Sequence, residues 1–143
     1  MRPSELAGSS YANAHLADPD KLWPSGIVEY KFYRTFPRCF VSTRRDVSVD
    51  PFPFRTHRTV VQNAMQYITE RTPCVTFLPA NSSSPNYVMF IPGTECASEL
   101  GMKGGEQIVY LNAGCFRNGL IVPVHEILHV LGFVHEHNRT HWC

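Results

Sequence analysis

Close to its C-terminal end, the chain contains a run of twelve residues, from His125 to Glu136, with the pattern H-E-x-x-H-x-x-G-x-x-H-E. Four residues of an α-helix turn through about 400° and rise about 6 Å, so His125 and His129 project from the same helix face. Two imidazoles placed in this way can bind one zinc ion, each nitrogen lying about 2.0–2.1 Å from the metal. The spacing therefore predicts a helix here, with His125 and His129 as zinc ligands.

A glycine and a third histidine complete the pattern. Gly132 can adopt the left-handed conformation that ends a helix at little steric cost, so the chain can turn after it. This turn would bring His135 to the metal as the third ligand and leave one coordination position open, as catalytic zinc sites require. Glu126 lies about 100° around the helix from His125, beside the metal, where a general base for a zinc-activated water is expected.

A core helix that happens to carry histidines is the alternative interpretation. H-E-x-x-H alone would leave that alternative open, but Gly132, His135 and Glu136 at fixed spacing favour the zinc site. We interpret His137 and His141 as solvent-facing residues or neighbours of the ligands, and not as ligands themselves.

The bulk composition bounds what else the chain can do. Its 143 residues have the length of one domain, and 43% hydrophobic residues are enough for a buried core. A formal net charge of +1 gives no electrostatic reason to expect binding to nucleic acid or to an anionic membrane. No apolar run is long enough to span a bilayer, and residues 1–25 lack the apolar region of a signal peptide. We therefore expect no nucleic-acid partner and no membrane span.

Cysteine usage indicates an oxidising compartment. A chain this short with five cysteines is typical of secreted proteins, and N-glycosylation sequons at Asn81 and Asn138 agree with secretion. No two cysteines form a C-x-x-C pair, which excludes zinc-ribbon and thioredoxin-like motifs. Because the count is odd, at least one thiol has no partner within the chain.

Hydrophobic periodicity predicts the remaining elements. Residues 1–21 are polar and aperiodic, and we interpret them as a flexible lead-in or a propeptide remnant. Apolar residues at helical spacing predict a helix over residues 56–71, which ends before Pro73. The zinc helix is expected to begin between Leu120 and Pro123, since proline is tolerated in a first turn. Strands are predicted at residues 27–32, 74–78, 87–91, 96–100 and 107–111, with a weaker signal at residues 39–42.

Taken together, these motifs resemble the astacin family of zinc metalloendopeptidases, a branch of the metzincins. The zinc motif with its trailing Glu136 is similar to the family's, and the resemblance covers most of residues 14–139. The family's Trp-Pro-x-Gly-Ile entry, Ala-Met-x-x-Ile helix, Cys-Val-x-Phe strand, Asn-Tyr-Val strand and glycine-rich turn with a glutamine are matched at residues 23–27, 64–68, 74–77, 86–88 and 104–107.

The resemblance implies an α+β fold, a metzincin-like N-terminal subdomain. Its parts would be a twisted mixed β-sheet of about five strands and two long helices, the second carrying the zinc motif. It also implies one Zn²⁺ per chain, bound by His125, His129 and His135. The implied activity is that of a secreted zinc-dependent endopeptidase, which hydrolyses peptide bonds of proteins or peptides through a zinc-activated water with Glu126 as general base. We expect the chain to be a monomer.

Further roles also follow from the resemblance. Glu136 would receive the amine of the mature N-terminus, which would be Ala14 when counted back from the entry motif. Cys96 and Cys115 would form a disulfide beside the cleft. The edge strand at residues 96–100 would hold an extended substrate by main-chain hydrogen bonds.

After the zinc motif the chain departs from the family pattern. The family's C-terminal half, with its Met-turn and tyrosine ligand, has no counterpart in these residues, and neither does the cysteine expected to pair with Cys74. Residues 22–143 are therefore expected to form an N-terminal subdomain without its C-terminal partner, and the last four residues indicate a premature or alternatively spliced end. The second hypothesis is accordingly a truncated, catalytically inactive zinc-binding fragment or interaction domain. The pairing of Cys39 and Cys143 stays open.

Overall fold

A computed structural model of the protein describes residues 19–36 and 57–134. Several features predicted from the sequence lie outside these residues: most of the lead-in with Ala14, the weak strand signal at residues 39–42, the third ligand His135, Glu136, and the sequon at Asn138.

The described residues form one five-stranded sheet with two α-helices. The strand order is β2-β1-β3-β5-β4, in which β2, β1, β3 and β5 run parallel and β4 is antiparallel to β5. This arrangement confirms the predicted α+β fold with a mixed sheet of five strands. The strands are β1 (Ile27–Phe32), β2 (Thr76–Pro79), β3 (Tyr87–Ile91), β4 (Ala97–Ser98) and β5 (Glu106–Tyr110).

Alternate residues of the inner strands face the core. Val88 and Phe90 of β3 are buried, and so are Gln107 and Val109 of β5, whereas their neighbours along each strand are more exposed. Successive side chains of a strand point to opposite sides of a sheet, so this period of two places one apolar face beneath the helices. The apolar side chains on that face join one hydrophobic cluster with those of the helices.

The two helices are α1 (His57–Arg71) and α2 (Ile121–Val130), and they pack against each other. Burial of Val61, Ala64 and Ile68 gives α1 the apolar stripe that its helical spacing predicts. The beginning of α2 at Ile121 confirms the range expected from the position of Pro123. In the part of the chain that the structure describes, no helix is both long and apolar enough to cross a bilayer.

Two predicted strands have different bounds in the structure. The strand predicted at residues 74–78 begins only at Thr76, because the chain first makes a turn in which the Val75 N–H donates to the Thr72 carbonyl. The strand predicted at residues 96–100 is reduced to Ala97–Ser98, since Gly101, with φ of +67°, turns the chain away from the sheet.

Candidate active site

Helix α2 presents His125 and His129 one turn apart. Their Nε2 atoms lie 3.0 Å from each other, and the rings are nearly perpendicular, with an interplanar angle of 86°. Two nitrogens bound to one tetrahedral zinc ion at about 2.0–2.1 Å would be about 3.4 Å apart. The observed pair is close to that separation, so these two imidazoles fit one metal ion without a change in the helix.

The orientation of His129 is set by its second ring nitrogen. Nδ1 lies 2.6 Å from the Phe133 carbonyl oxygen, which can only accept, so Nδ1–H is the donor. The lone pair of the neutral ring is then on Nε2, the nitrogen that approaches His125. Histidines that bind metals commonly donate their other N–H to a carbonyl in this way. The donor set therefore suits a borderline metal such as zinc.

Gly132 brings the Phe133 carbonyl to this position. It has φ of +103°, its N–H donates to the His129 carbonyl at 2.8 Å, and the Phe133 N–H donates to the Leu128 carbonyl at 3.0 Å. These two bonds form a Schellman motif, in which glycine takes the left-handed position at low cost. The prediction that Gly132 ends the helix in the left-handed conformation is confirmed.

The last carbonyls of α2 are also held by distant parts of the chain. The indole Nε1 of buried Trp23 donates to the Val130 carbonyl at 2.9 Å, and the Gly101 N–H donates to the His129 carbonyl at 2.8 Å. Gln107, only 1% exposed, donates in turn to the Gly101 carbonyl at 3.0 Å. The C-terminal turn of α2 is thus fixed from two sides.

Glu126 extends from α2 toward the same cleft as His129. Its side chain is 6% exposed, and Oε2 accepts a hydrogen bond of 2.9 Å from the Ser98 hydroxyl. A buried carboxylate is costly without such a donor. The cleft has a volume of about 390 Å³, and its lining residues are Cys96, Ala97, Ser98, Leu100, Glu126, His129 and Val134.

A disulfide between Cys96 and Cys115 borders this cleft and confirms the pairing that the family resemblance implies. Cys115 lies in a 3₁₀ turn, Ala113–Phe116, whose preceding residue Asn112 accepts a hydrogen bond from the Gly114 N–H at 2.7 Å. The Asn112 side chain also donates to the Thr94 carbonyl at 2.9 Å. The segment that precedes β4 is therefore joined to the segment that follows β5, both by the disulfide and by the hydrogen bond from Asn112 to Thr94.

The structure brings together three of the four residues predicted for the site. His125, Glu126 and His129 all lie on α2, whereas His135 lies outside the described residues. Within residues 19–36 and 57–134, no group of three or more His, Cys, Asp or Glu side chains is arranged to hold a metal ion.

Sequence reasoning gave the side chains of Ser98 and Trp23 no role of their own, beyond their places in the edge strand and in the entry motif. The available signals were the position of Ser98 two residues after Cys96 and that of Trp23 at the start of the entry motif. Neither signal identifies the hydrogen-bond partner, because each partner lies far along the chain.

Comparison with known proteins identifies the family to which this chain is similar. The model of the family Astacin (peptidase family M12A) matches residues 50–142. The zinc metalloproteinase nas-15 of Caenorhabditis elegans is 36% identical over 120 residues, which cover 84% of this chain and 18% of that protein. The zinc metalloproteinase nas-17 of the same organism is 42% identical over 119 residues, which cover 83% of this chain and 23% of that protein.

Among solved structures, high choriolytic enzyme 1, a hatching enzyme zinc-protease from the medaka fish Oryzias latipes, superimposes with a TM-score of 0.53. The match covers 82% of this chain and 48% of that one, at 22% identity, and at this identity it shows a common fold alone. The chain spans about a fifth of the length of the two nematode relatives. Since the family match extends over well more than half of its residues, the chain belongs to the astacin family, peptidase family M12A.

Proposed function

We propose that the chain carries the metal-binding helix of a zinc-dependent endopeptidase that hydrolyses peptide bonds of proteins. The observation that supports this most strongly is the 3.0 Å approach of the His125 and His129 Nε2 atoms beside a cleft that Glu126 also lines. In this proposal His125, His129 and His135 hold one zinc ion, and Glu126 is the general base.

Each side chain has a distinct part in the proposed reaction. A zinc ion held by the imidazoles would supply the Lewis acidity that activates water and polarises a peptide carbonyl. The Glu126 carboxylate accepts a proton from the attacking water and passes it to the nitrogen of the leaving amine. The hydrogen bond from His129 Nδ1 to the Phe133 carbonyl keeps Nε2 directed toward the cleft during these steps.

The edge of the sheet supports a polypeptide substrate. Strand β4 is the terminal strand of the described sheet and pairs with β5 on one side. Its other edge can therefore pair with an extended peptide through main-chain hydrogen bonds. We propose that the substrate lies along β4, which also forms one wall of the cleft.

We also propose that the protein is secreted. The Cys96–Cys115 disulfide supports this, because disulfides form and persist in oxidising compartments.

Hydrolysis of an unfolded protein by the zinc-loaded chain tests the proposal. Replacement of the general base, Glu126→Gln, should lower the rate by about 10²–10⁴-fold, the usual contribution of general acid–base catalysis. Glu70→Gln is the matched control, since it changes an exposed glutamate on α1, outside the lining of the cleft, and should leave the rate unchanged.

The outcomes separate the two hypotheses for this chain. Activity in the parent chain that is lost in Glu126→Gln alone supports the endopeptidase. Zinc binding with equal, background-level hydrolysis in all three proteins would contradict it and favour the inactive zinc-binding fragment.

A further inference from the structure

We propose that Ser98 is a positioning residue for Glu126. Its hydroxyl, on the substrate-binding edge strand β4, holds the Glu126 carboxylate in the orientation needed for proton transfer. The role rests on the proposed function, because it presumes that Glu126 is the general base. The contact itself does not depend on that function and can be measured separately.

The Ser98 hydroxyl contacts both ends of one glutamate. Its oxygen lies 2.9 Å from the Glu126 carboxylate oxygen Oε2 and 3.0 Å from the Glu126 backbone carbonyl oxygen. Because both acceptors belong to Glu126, the Ser98 hydroxyl bridges the backbone of this residue and the carboxylate at the end of its side chain. The torsions between these two points consequently lose freedom, and a flexible side chain gains a defined position.

A count of hydrogens shows which contact dominates. A hydroxyl has a single hydrogen to donate, and both neighbouring Glu126 oxygens accept. A hydrogen bond to a charged acceptor is shorter and stronger than one to a neutral carbonyl, so the carboxylate takes the hydrogen most of the time. This assigns Oε2 to Ser98 and leaves Oε1 to carry the proton that is transferred.

Burial makes this donor important. Glu126 is 6% exposed, so water solvates its carboxylate poorly. Within the described residues, the Ser98 hydroxyl is the group that donates a hydrogen bond to the Glu126 carboxylate. Removal of the hydroxyl would leave a buried charge to find a new partner, and rotation of the side chain is the simplest way to do so.

The position of Ser98 in the sheet connects this contact to substrate binding. Ser98 pairs with Val109 of β5, and Cys96, two residues earlier, is fixed to Cys115 by the disulfide. A peptide that adds to the free edge of β4 would order this two-residue strand further. Peptide binding would thereby strengthen the hydrogen bond between Ser98 and Glu126. Loss of the Ser98 hydroxyl should therefore affect the chemical step more than substrate binding.

Steady-state hydrolysis by the zinc-loaded chain is the first test. Ser98→Ala should lower kcat about tenfold with KM changed by less than about twofold, because orientation of the base matters in the transition state. Ser98→Thr retains the hydroxyl and should restore kcat to within about threefold of the parent value. An unchanged kcat in Ser98→Ala, a loss confined to KM, or an equal loss in Ser98→Thr would each overturn the role.

Ser84→Ala is the matched control for this test. The Ser84 hydroxyl donates to the Glu29 carboxylate at 2.8 Å, and Glu29 lies on β1, which β3 and β5 separate from β4 and the cleft. The variant should therefore lose a serine–glutamate hydrogen bond without a change in kcat. A tenfold loss in Ser84→Ala would show that general weakening of the fold, and not positioning of the base, lowers the rate.

Unfolding in urea provides a second test that requires neither zinc nor activity. In the parent background Ser98→Ala removes both contacts to Glu126, whereas in the Glu126→Ala background it removes the backbone contact alone. The midpoint should therefore shift more in the first background than in the second. Equal shifts would show that the hydroxyl only holds the helix backbone and would overturn the proposal. A coupled shift in a chain without hydrolysis would reject the endopeptidase function while the contact stands.

Discussion

His57, the first residue of α1, combines burial with an aromatic partner. Its ring stacks on Phe116, with centroids 4.1 Å apart and planes 9° from parallel, and it is 8% exposed. Burial lowers the pKa of this imidazole below its ordinary value of 6.5, because the charged form loses its hydration. The stack therefore joins α1 to the turn that contains Cys115 through a group whose charge depends on pH.

This lowered pKa has a consequence for stability. Below pH 6.5 the unfolded chain binds a proton at this histidine more readily than the folded chain does, so the free energy of unfolding falls as the pH falls through that value. His57→Phe keeps a stacked ring and removes the titration. Urea midpoints at about pH 7.5 and about pH 5.5 should therefore differ more in the parent than in the variant. Equal differences would contradict this explanation.

Single residues differ in how much of their role the sequence reveals. The placement of His125, Glu126 and His129 on one helix could be predicted from spacing alone, because helix geometry determines which side chains lie one turn apart. Ser98 and Trp23 could not, since their partners lie 28 and 107 residues away and are brought near only by the fold.

Helix α2 depends for its position on groups from other elements. Trp23 is buried and donates its indole N–H to the Val130 carbonyl at 2.9 Å, at the end of the helix that carries the histidines. Trp23→Phe would fill much of the same space but leave this carbonyl without its donor. The unmet buried group should cost about 1–3 kcal/mol in the free energy of unfolding.

Urea unfolding measures this cost directly. Tyr33→Phe, a change at an exposed aromatic residue, should alter the free energy of unfolding by less than about 0.5 kcal/mol and is the matched control. A Trp23→Phe variant as stable as the control would show that the indole hydrogen bond does not hold α2.

Periodicity predicted where most strands and helices lie, but not where each strand ends. The bounds of β1 and β3 agree with the prediction, because their alternation is set by burial of every second residue. Strand β4 is shorter than predicted, since its pairing is limited to Ala97 with Tyr110 and Ser98 with Val109. Such limits come from the partner strand and the turn at Gly101, which local sequence does not contain.

The arrangement of the sheet was beyond what periodicity could predict. Its order, β2-β1-β3-β5-β4, places strands next to each other that are distant in sequence, and only non-local pairing determines it. The fold class was anticipated because several motifs together resemble a known family, and the family match over residues 50–142 confirms that resemblance.

The candidate site as a whole depends on the contact between α2 and the edge strand β4, which forms the facing wall of the cleft. Titration of Zn²⁺ into the metal-free chain, followed by calorimetry, tests the ligand pair most directly. We expect one zinc ion per chain, bound at least about 100-fold more weakly in His125→Ala and in His129→Ala, because each variant removes one ligand. His57→Phe, which changes a histidine on α1, should bind zinc as the parent does. Equal affinity in the parent and in both ligand variants would contradict a zinc site on α2.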